Sequence, residues 1–466
     1  MKNIKNRILW ICVICIVAST SCKKELNLSP TDVFTEDKAF RTLDDVQAAT
    51  NAVNQRMSAF YNDVKASTLL SDEAKIGAGN NGAGLLIYRY QYNSDANLSS
   101  EVVNAWGSYY SAIHQATIAL GAIDKVPGDA DRKKELRGQL SALRAICHFY
   151  LLQSYSGRYN PTSLGVPIQD NYNIAGLPKR NTMGETMTFI ETELATAQSI
   201  LSAATTYSDT SINKINLAGF QAKIALYKGD YQKAIDYATT VITSGVPSLV
   251  LVSGSAYAGI WTDAAAGIPY ELLFRVRYGP STAIGSIFLS GGVDFAPSDK
   301  LLAAYGAGDA RKNLFIGTVN GNRFVKKYEK SGRGNGALDL KVLRLSDIYL
   351  IRAEAYAKLS TPNITASIAD LNAVRAKRIT PAATSGVFPT NAGDLLTAIA
   401  DERFRELCFE GNRFFDLKRN NQNVQRLATD AQPAWQTLDK NDYKFILPIS
   451  SDEMNANPNM VQNPGY

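Results

Sequence analysis

The chain has 466 residues, a formal net charge of +6, 45% hydrophobic residues and 20% charged residues. This is the composition of a globular chain with a large buried core, which excludes a fibrous or disordered protein. Lys2, Lys5 and Arg7 supply three of the net positive charges and no long single-sign run follows, so nucleic acid is excluded as a partner.

The chain opens on a targeting pattern. Lys2, Lys5 and Arg7 form a basic region, and Ile8 to Ala18 is an apolar run of eleven residues. That length suits a signal peptide and is too short for a membrane-spanning helix, which takes about 20 apolar residues. "ASTSC" then leads through small residues to Cys22, as in a bacterial lipoprotein whose cysteine is acylated and becomes the new N-terminus. The expectation is a leader over 1–21, a lipid anchor on Cys22 and a single domain over 22–466. Two cysteines remain beyond it, Cys147 and Cys408, each on a predicted helix among apolar residues. Such cysteines behave as small buried hydrophobes, and a disulfide between them is not expected.

Helical periodicity dominates the rest. Trp106, Tyr109, Tyr110, Ile113, Thr117, Leu120 and Ile123 recur at three- and four-residue steps. A second helix is expected from Arg132 to Ser154, with Leu136, Leu140, Leu143, Cys147 and Leu151 in register, and "VPGDAD" punctuates the turn between them. "NLAGFQAKIALYKGDYQKAIDYATTVI" reads as another pair broken at Gly229-Asp230, with small residues at Ala222 and Ala234. This pattern is that of tetratricopeptide helix pairs. "LRLSDIYLIRAEAYAKL" and "ITASIADLNAVRAKR" form a third pair, and a fourth helical block surrounds residues 402–419. The helical scaffold is expected over about 35–65, 104–155, 180–245, 340–378 and 394–420. The loop-rich portion is expected over about 66–103, 246–339 and 421–466. Within it, 84–93 and 270–279 alternate like strands, whereas 77–84, 253–269, 279–297 and 317–338 are Gly-, Ser- and Asn-rich loops.

Few motifs carry chemistry. Gly77-Ala-Gly79-Asn-Asn-Gly82 fits G-x-G-x-x-G, but a helix-like "SDEAKI" precedes it and a strand-like "LLIYRYQY" follows, the reverse of the dinucleotide fingerprint. His114 and His148 lie mid-helix with no second ligand at metal spacing, so neither a metal nor any other cofactor is expected. Cys147 and His148 are adjacent and point about 100° apart on a helix, which prevents a nucleophile–base pair. The stretch "ERFRELCFEGNRFFDLKR" (402–419) is densest in charge, with nine charged residues and four Phe in eighteen. Arg403 and Glu406 lie three apart, as do Arg413 and Asp416, and Gly411 lets the chain turn. Glu402 and Glu406 share a helix face with basic flanks, which favours two ionised carboxylates. The expectation is a structural brace, and no enzyme.

That stretch closely resembles the E-R-x-x-E-L-x-F-E-G-x-R-x-x-D-L-x-R signature of the SusD/RagB family. "ALRAICHFYLLQSYS", "RNTMGETMTFIETELATA", "PSDKLLAAYGAGDAR", "ADLNAVRAKR" and the closing "NPNMVQNPGY" are similar to other family segments in the same order. The resemblance implies a mainly α, SusD-like fold, with four tetratricopeptide-type helix pairs packed against an irregular, loop-rich ligand-binding portion with a few short strands. It implies a lipid-anchored outer-membrane protein that binds oligosaccharide and passes it to a SusC-like TonB-dependent barrel. Peptide binding on the same architecture is the alternative, and a protein-binding tetratricopeptide scaffold is a further one.

Sugar recognition favours aromatic faces beside amide, carboxylate and Arg groups. Asp72 and Glu73 occupy positions where the resemblance places ligand-region acidic residues, and Asn80 and Asn81 follow in a loop. If 84–93 is a strand, Tyr88, Tyr90 and Tyr92 share one face, either packed into the core or against the barrel or open as a stacking platform, and Arg89 and Gln91 share the other. Tyr257 and Trp261, in a Gly/Ala-rich loop, form the second candidate platform.

Overall fold

The computed structural model describes residues 39–173, 176–203, 207–263, 270–277, 288, 292–328 and 338–466. The expected leader and Cys22 lie outside the described residues, as do most of 279–291 and 329–337.

Helices build most of the molecule. In chain order they include α1 (Leu43–Arg56), α2 (Phe60–Leu70), α3 (Ser100–Ala122), α4 (Ala130–Tyr155), α5 (Met183–Ile200), α6 (Lys214–Lys228), α7 (Tyr231–Ile242), α8 (Leu345–Ala357), α9 (Ile364–Ala376), α10 (Ala392–Glu406) and α11 (Arg413–Arg419). Local sequence fixes their ends. Thr182 and Glu185 form a reciprocal capping box at the start of α5. Gly229 takes φ +88° to close α6, and Asp230 caps α7 through the Lys233 N–H. Successive helices pack on one another: α3 on α4, α4 on α5, α6 on α7, and α8 on α9. The stripe expected on α3 is buried from Trp106 to Ile123 except at half-buried Leu120, and the Leu136-to-Leu151 stripe of α4 is buried throughout. Ala222 and Ala234 are fully buried.

The strands are short and antiparallel. β1 (Ala74–Ile76) pairs with β3 (Phe295–Pro297), and β2 (Leu272–Val276) with β6 (Leu340–Arg344). β4 (Ile316–Val319) and β5 (Asn322–Val325) form a hairpin, and β7 (Val424–Gln425) meets β8 (Thr437–Leu438). The strand expected at 270–279 is therefore present. The strand expected at 84–93 is not: Leu85–Tyr88 is a short helix. The loop expected at 317–338 holds most of the β4–β5 hairpin, and that expected at 253–269 starts with the helix Gly254–Gly259. No described helix is long and apolar enough to cross a membrane. Cys147 and Cys408 are buried free thiols.

An ionic cluster joins the helices to the strands. Glu406, at the end of α10, accepts from Arg311 Nη1 (3.1 Å), Arg344 Nη1 (3.0 Å) and Arg378 Nε (2.9 Å), and none of the four is more than 1% exposed. Arg311 belongs to the short helix Ala310–Phe315, Arg344 ends β6, and Arg378 follows α9. One carboxylate thus ties four elements. Glu402 receives Arg311, Arg375 and Arg405, while Glu410 receives Arg344 and Lys327. Burial alone would raise the Glu406 carboxyl, but Arg378, Arg344 and Arg311 outweigh it and hold the group well below the usual carboxylate range. Glu402 is likewise held low.

The brace is present, but two of its expected local pairs are not. Arg403 turns away from Glu406 to Asp347 (2.8 Å) and Asp416 (2.8 Å), and Arg413 turns away from Asp416 to Asp72. Gly411 takes φ +77°, so the chain reverses between α10 and α11 and long-range partners come within reach. Removing one member of such a buried network leaves uncompensated charge. Glu406→Gln is expected to destabilise the protein by about 3–5 kcal/mol, read as a lowered urea midpoint with an unchanged slope.

Candidate functional site

The candidate site starts where α2 ends. Asp72 is 1% exposed and clamped by Arg413 Nε (2.8 Å), Arg413 Nη2 (2.9 Å) and Lys300 Nζ (2.6 Å). Burial pushes its carboxyl up, yet Arg413 and Lys300 outweigh this and hold it far below the usual range. Asp72 is therefore an anchor under the loop and not a ligand contact. Glu73 beside it accepts from the Phe409 N–H (3.2 Å) through Oε1, while its buried Oε2 has no partner among the described residues.

β1 then carries the chain into the glycine-rich loop. A strand precedes the loop and a short helix follows, the reverse of both sequence expectations. The glycines nevertheless serve the protein's own backbone. The Gly77 N–H donates to Asp294 O (2.9 Å) and the Gly79 N–H to Val293 O (3.0 Å). A Cβ on Gly77 would lie 2.0 Å from Val293 O. Asn80 is committed as well: its Nδ2 donates to Ala83 O and Asp294 O (both 3.0 Å), and its Oδ1 accepts from the Gly82 N–H (2.8 Å). Asn81 is exposed.

The tyrosine platform does not form. Tyr88 and Tyr92 are at most 1% exposed and Tyr90 is half-buried. The Tyr88 hydroxyl donates to Asp430 O (2.9 Å), that of Tyr90 to Leu70 O (3.2 Å) and that of Tyr92 to Lys444 O. The Arg426 guanidinium lies 3.9 Å from the Tyr88 ring centre and 4.6 Å from that of Tyr90, and Lys444 caps Tyr92. Tyr257 and Trp261 are also core residues, 2% and 4% exposed. Arg378 stacks 3.7 Å from the Tyr257 ring centre, and Lys327 lies 4.3 Å from that of Trp261. Trp261 packs edge-on against Phe315 and Tyr328. At both platforms the rings are packed into the interior, and cations from distant parts of the chain lie over them.

What stays at the surface is Asn81, Leu86, half-exposed Arg89 and Gln91. Arg89 stacks on Trp435, 4.6 Å from its ring centre, and pairs with no carboxylate among the described residues. Trp435, half-exposed on the short helix Pro433–Gln436, was not predicted from sequence, although a Trp in the polar run "DAQPAWQTLDKND" was the available signal. A half-exposed aromatic ring with a guanidinium stacked on it suits stacking on a sugar ring and donation to its hydroxyls. A separate open groove of about 810 Å³ lies between α3 and residues 168–173 and 176–178, lined by His114, Gln115, Gln169 and exposed Tyr172. His148 is not part of it. Both ring nitrogens are engaged, by Arg144 O and the Gln169 N–H, and burial pushes the imidazole down to about 4.

The comparisons agree with this architecture. Residues 300–466 match the model of the SusD family, and residues 26–226 match a model described as starch-binding associating with outer membrane. A SusD-like protein, P38, of Formosa agariphila is 23% identical over 530 residues, covering 100% of both chains. A SusD superfamily crystal structure from Bacteroides vulgatus is 27% identical with a TM-score of 0.79, covering 92% of this chain and 100% of that one. A laminarin-binding SusD-like protein superimposes with a TM-score of 0.70 at 22% identity, over 92% of this chain and 100% of that one. The chain belongs to the SusD/RagB family.

Glu73, beneath the loop, couples this region to pH. Burial first, and the Asp72 charge second, push its carboxyl up from 4.5 to about 8. Between those values the folded protein holds a proton that the unfolded chain has released. Stability therefore falls as pH rises through that window and stays lower above it. Glu73→Gln cannot ionise, so it is expected to melt higher than the parent at about pH 9 and close to it at about pH 4.5, measured by thermal denaturation at both pH values.

Proposed function

We propose that the protein is a surface-exposed outer-membrane lipoprotein that binds oligosaccharide and passes it to a SusC-like TonB-dependent transporter for import. The observation that carries the reading is the half-exposed Arg89–Trp435 stack, which stands free of the brace and belongs to the same chain segment as exposed Leu86 and Gln91, while Asp72 is anchored beneath the preceding loop by Arg413. The starch-binding description of the model matched over residues 26–226, and the laminarin binding of a structural neighbour, support carbohydrate as the ligand class. The leader pattern and Cys22 support lipid anchoring. A binding role is favoured over catalysis because Glu402, Glu406 and Glu410, the densest carboxylates, are buried and paired.

The groove beside α3 supports a second reading of where the sugar sits. Its volume of about 810 Å³ suits a short oligosaccharide, and Tyr172 presents a ring at its rim. Peptide remains the alternative ligand class, since only amide and guanidinium donors accompany the single Trp of the first face.

Titration of the mature protein against a panel of glycans and peptides, with calorimetric readout, tests the reading. Trp435→Ala is expected to weaken glycan binding by about tenfold, the value of one lost stacking contact. Loss in Tyr172→Ala alone would move the site to the groove, and binding of peptides alone would overturn the carbohydrate assignment. For the anchor, Cys22→Ala is expected to abolish incorporation of labelled fatty acid and release the protein from membranes. A labelled variant would refute the anchor.

A further inference from the structure

The cations that meet Asp72 or the tyrosines after it are already committed. Lys300 and Arg413 hold Asp72, Lys444 donates to Tyr92 O, and Arg426 donates to the carbonyls of Leu69, Ser71, Tyr88 and Trp435. Arg89 is not. Its guanidinium lies 4.6 Å from the Trp435 ring centre and meets neither a carboxylate nor a carbonyl among the described residues. Its Nε is sealed against the protein, whereas Nη1 and Nη2 are not sealed and donate to nothing there. The half-exposed side chain therefore turns a fork of two nitrogens to solvent.

The stack is held in place from beneath. Arg426 Nη1 donates to both Tyr88 O (2.7 Å) and Trp435 O (3.1 Å), so one guanidinium ties the residue before Arg89 to the residue on which Arg89 lies. The Arg89 N–H closes on Leu85 O (2.9 Å), and Tyr90 leaves the short helix at φ +58°. Keeping a long side chain on a ring costs rotamer freedom, and what results is a preorganised donor pair. End-on, such a fork matches two oxygens of one carboxylate or sulfate. A ligand that uses the Trp435 ring also strips water from the guanidinium lying on it. Neutral hydroxyls would replace that water and leave the charge unbalanced. An oxyanion accepts both N–H groups in parallel and cancels the charge.

We infer that the glycan this protein takes is acidic, with a uronate carboxylate or a sulfate ester seated on the Nη fork of Arg89. The inference rests on the carbohydrate reading above and names the class of sugar. A neutral β-glucan oligosaccharide, an oligogalacturonate and a sulfated galactan oligosaccharide of matched length, each titrated calorimetrically into the mature protein, test it. At least one acidic probe is expected to bind about tenfold more tightly than the neutral one, and the arm that does so names the oxyanion. Arg89→Met is expected to erase that margin, and Arg89→Lys, which keeps the charge and loses the fork, to retain only part of it. Exposed Lys377, at the end of α9, controls for diffuse charge, and Lys377→Met is expected to leave the margin intact. A neutral probe that binds as tightly as both acidic ones, or a margin that survives Arg89→Met or falls as far in Lys377→Met, overturns the acidic assignment and leaves the carbohydrate reading standing. Binding of no glycan overturns both.

Discussion

The fold depends on the Glu406 carboxylate, buried against three guanidinium groups. Each arginine arrives from a different element, so the clamp can close only when α10, the end of β6, the chain after α9 and the short helix Ala310–Phe315 are all in place. Desolvating these ions is expensive, and replacing such a cluster with apolar groups can be neutral or even stabilising. Its value is therefore geometric: a bidentate guanidinium–carboxylate network accepts one arrangement of its members, where an apolar cluster tolerates several.

The same device recurs at smaller scale around the loop face. Arg413 and Lys300 fix Asp72, Arg426 supports Tyr88 and Tyr90, and Lys444 supports Tyr92. Arg426 also donates to Ser71 O, Tyr88 O and Leu69 O, binding the end of α2 to the loop that follows it. The loop is a rigid platform because its tyrosines are spent on the interior.

This explains what sequence could and could not reveal. The helices were readable because periodicity, caps and the Gly229 turn are local signals. The role of residues 402–419 was readable because basic residues flank the carboxylates, but the identity of the pairs was not. Arg413 bypasses nearby Asp416 for Asp72, from the far end of the chain, through a reversal that the sequence marks only with Gly411. Alternating Tyr88, Tyr90 and Tyr92 looked like a strand face, yet Tyr90 takes φ +58° and the alternation serves three separate interior contacts. Trp261 looked exposed among glycines and alanines because nothing local announces Lys327 and Arg344 above its ring. The polar run around Trp435 marks it as a surface ring, but nothing local ties it to Arg89, which lies in another segment.

The residues left facing solvent on the loop, Asn81, Leu86 and Gln91, take no part in the ionic clamps beneath them. Exchanging them therefore disturbs no buried charge and little packed surface. Architecture and outer face are written in separate sets of residues, so descendants of this chain can change that face by drift while their interiors stand still.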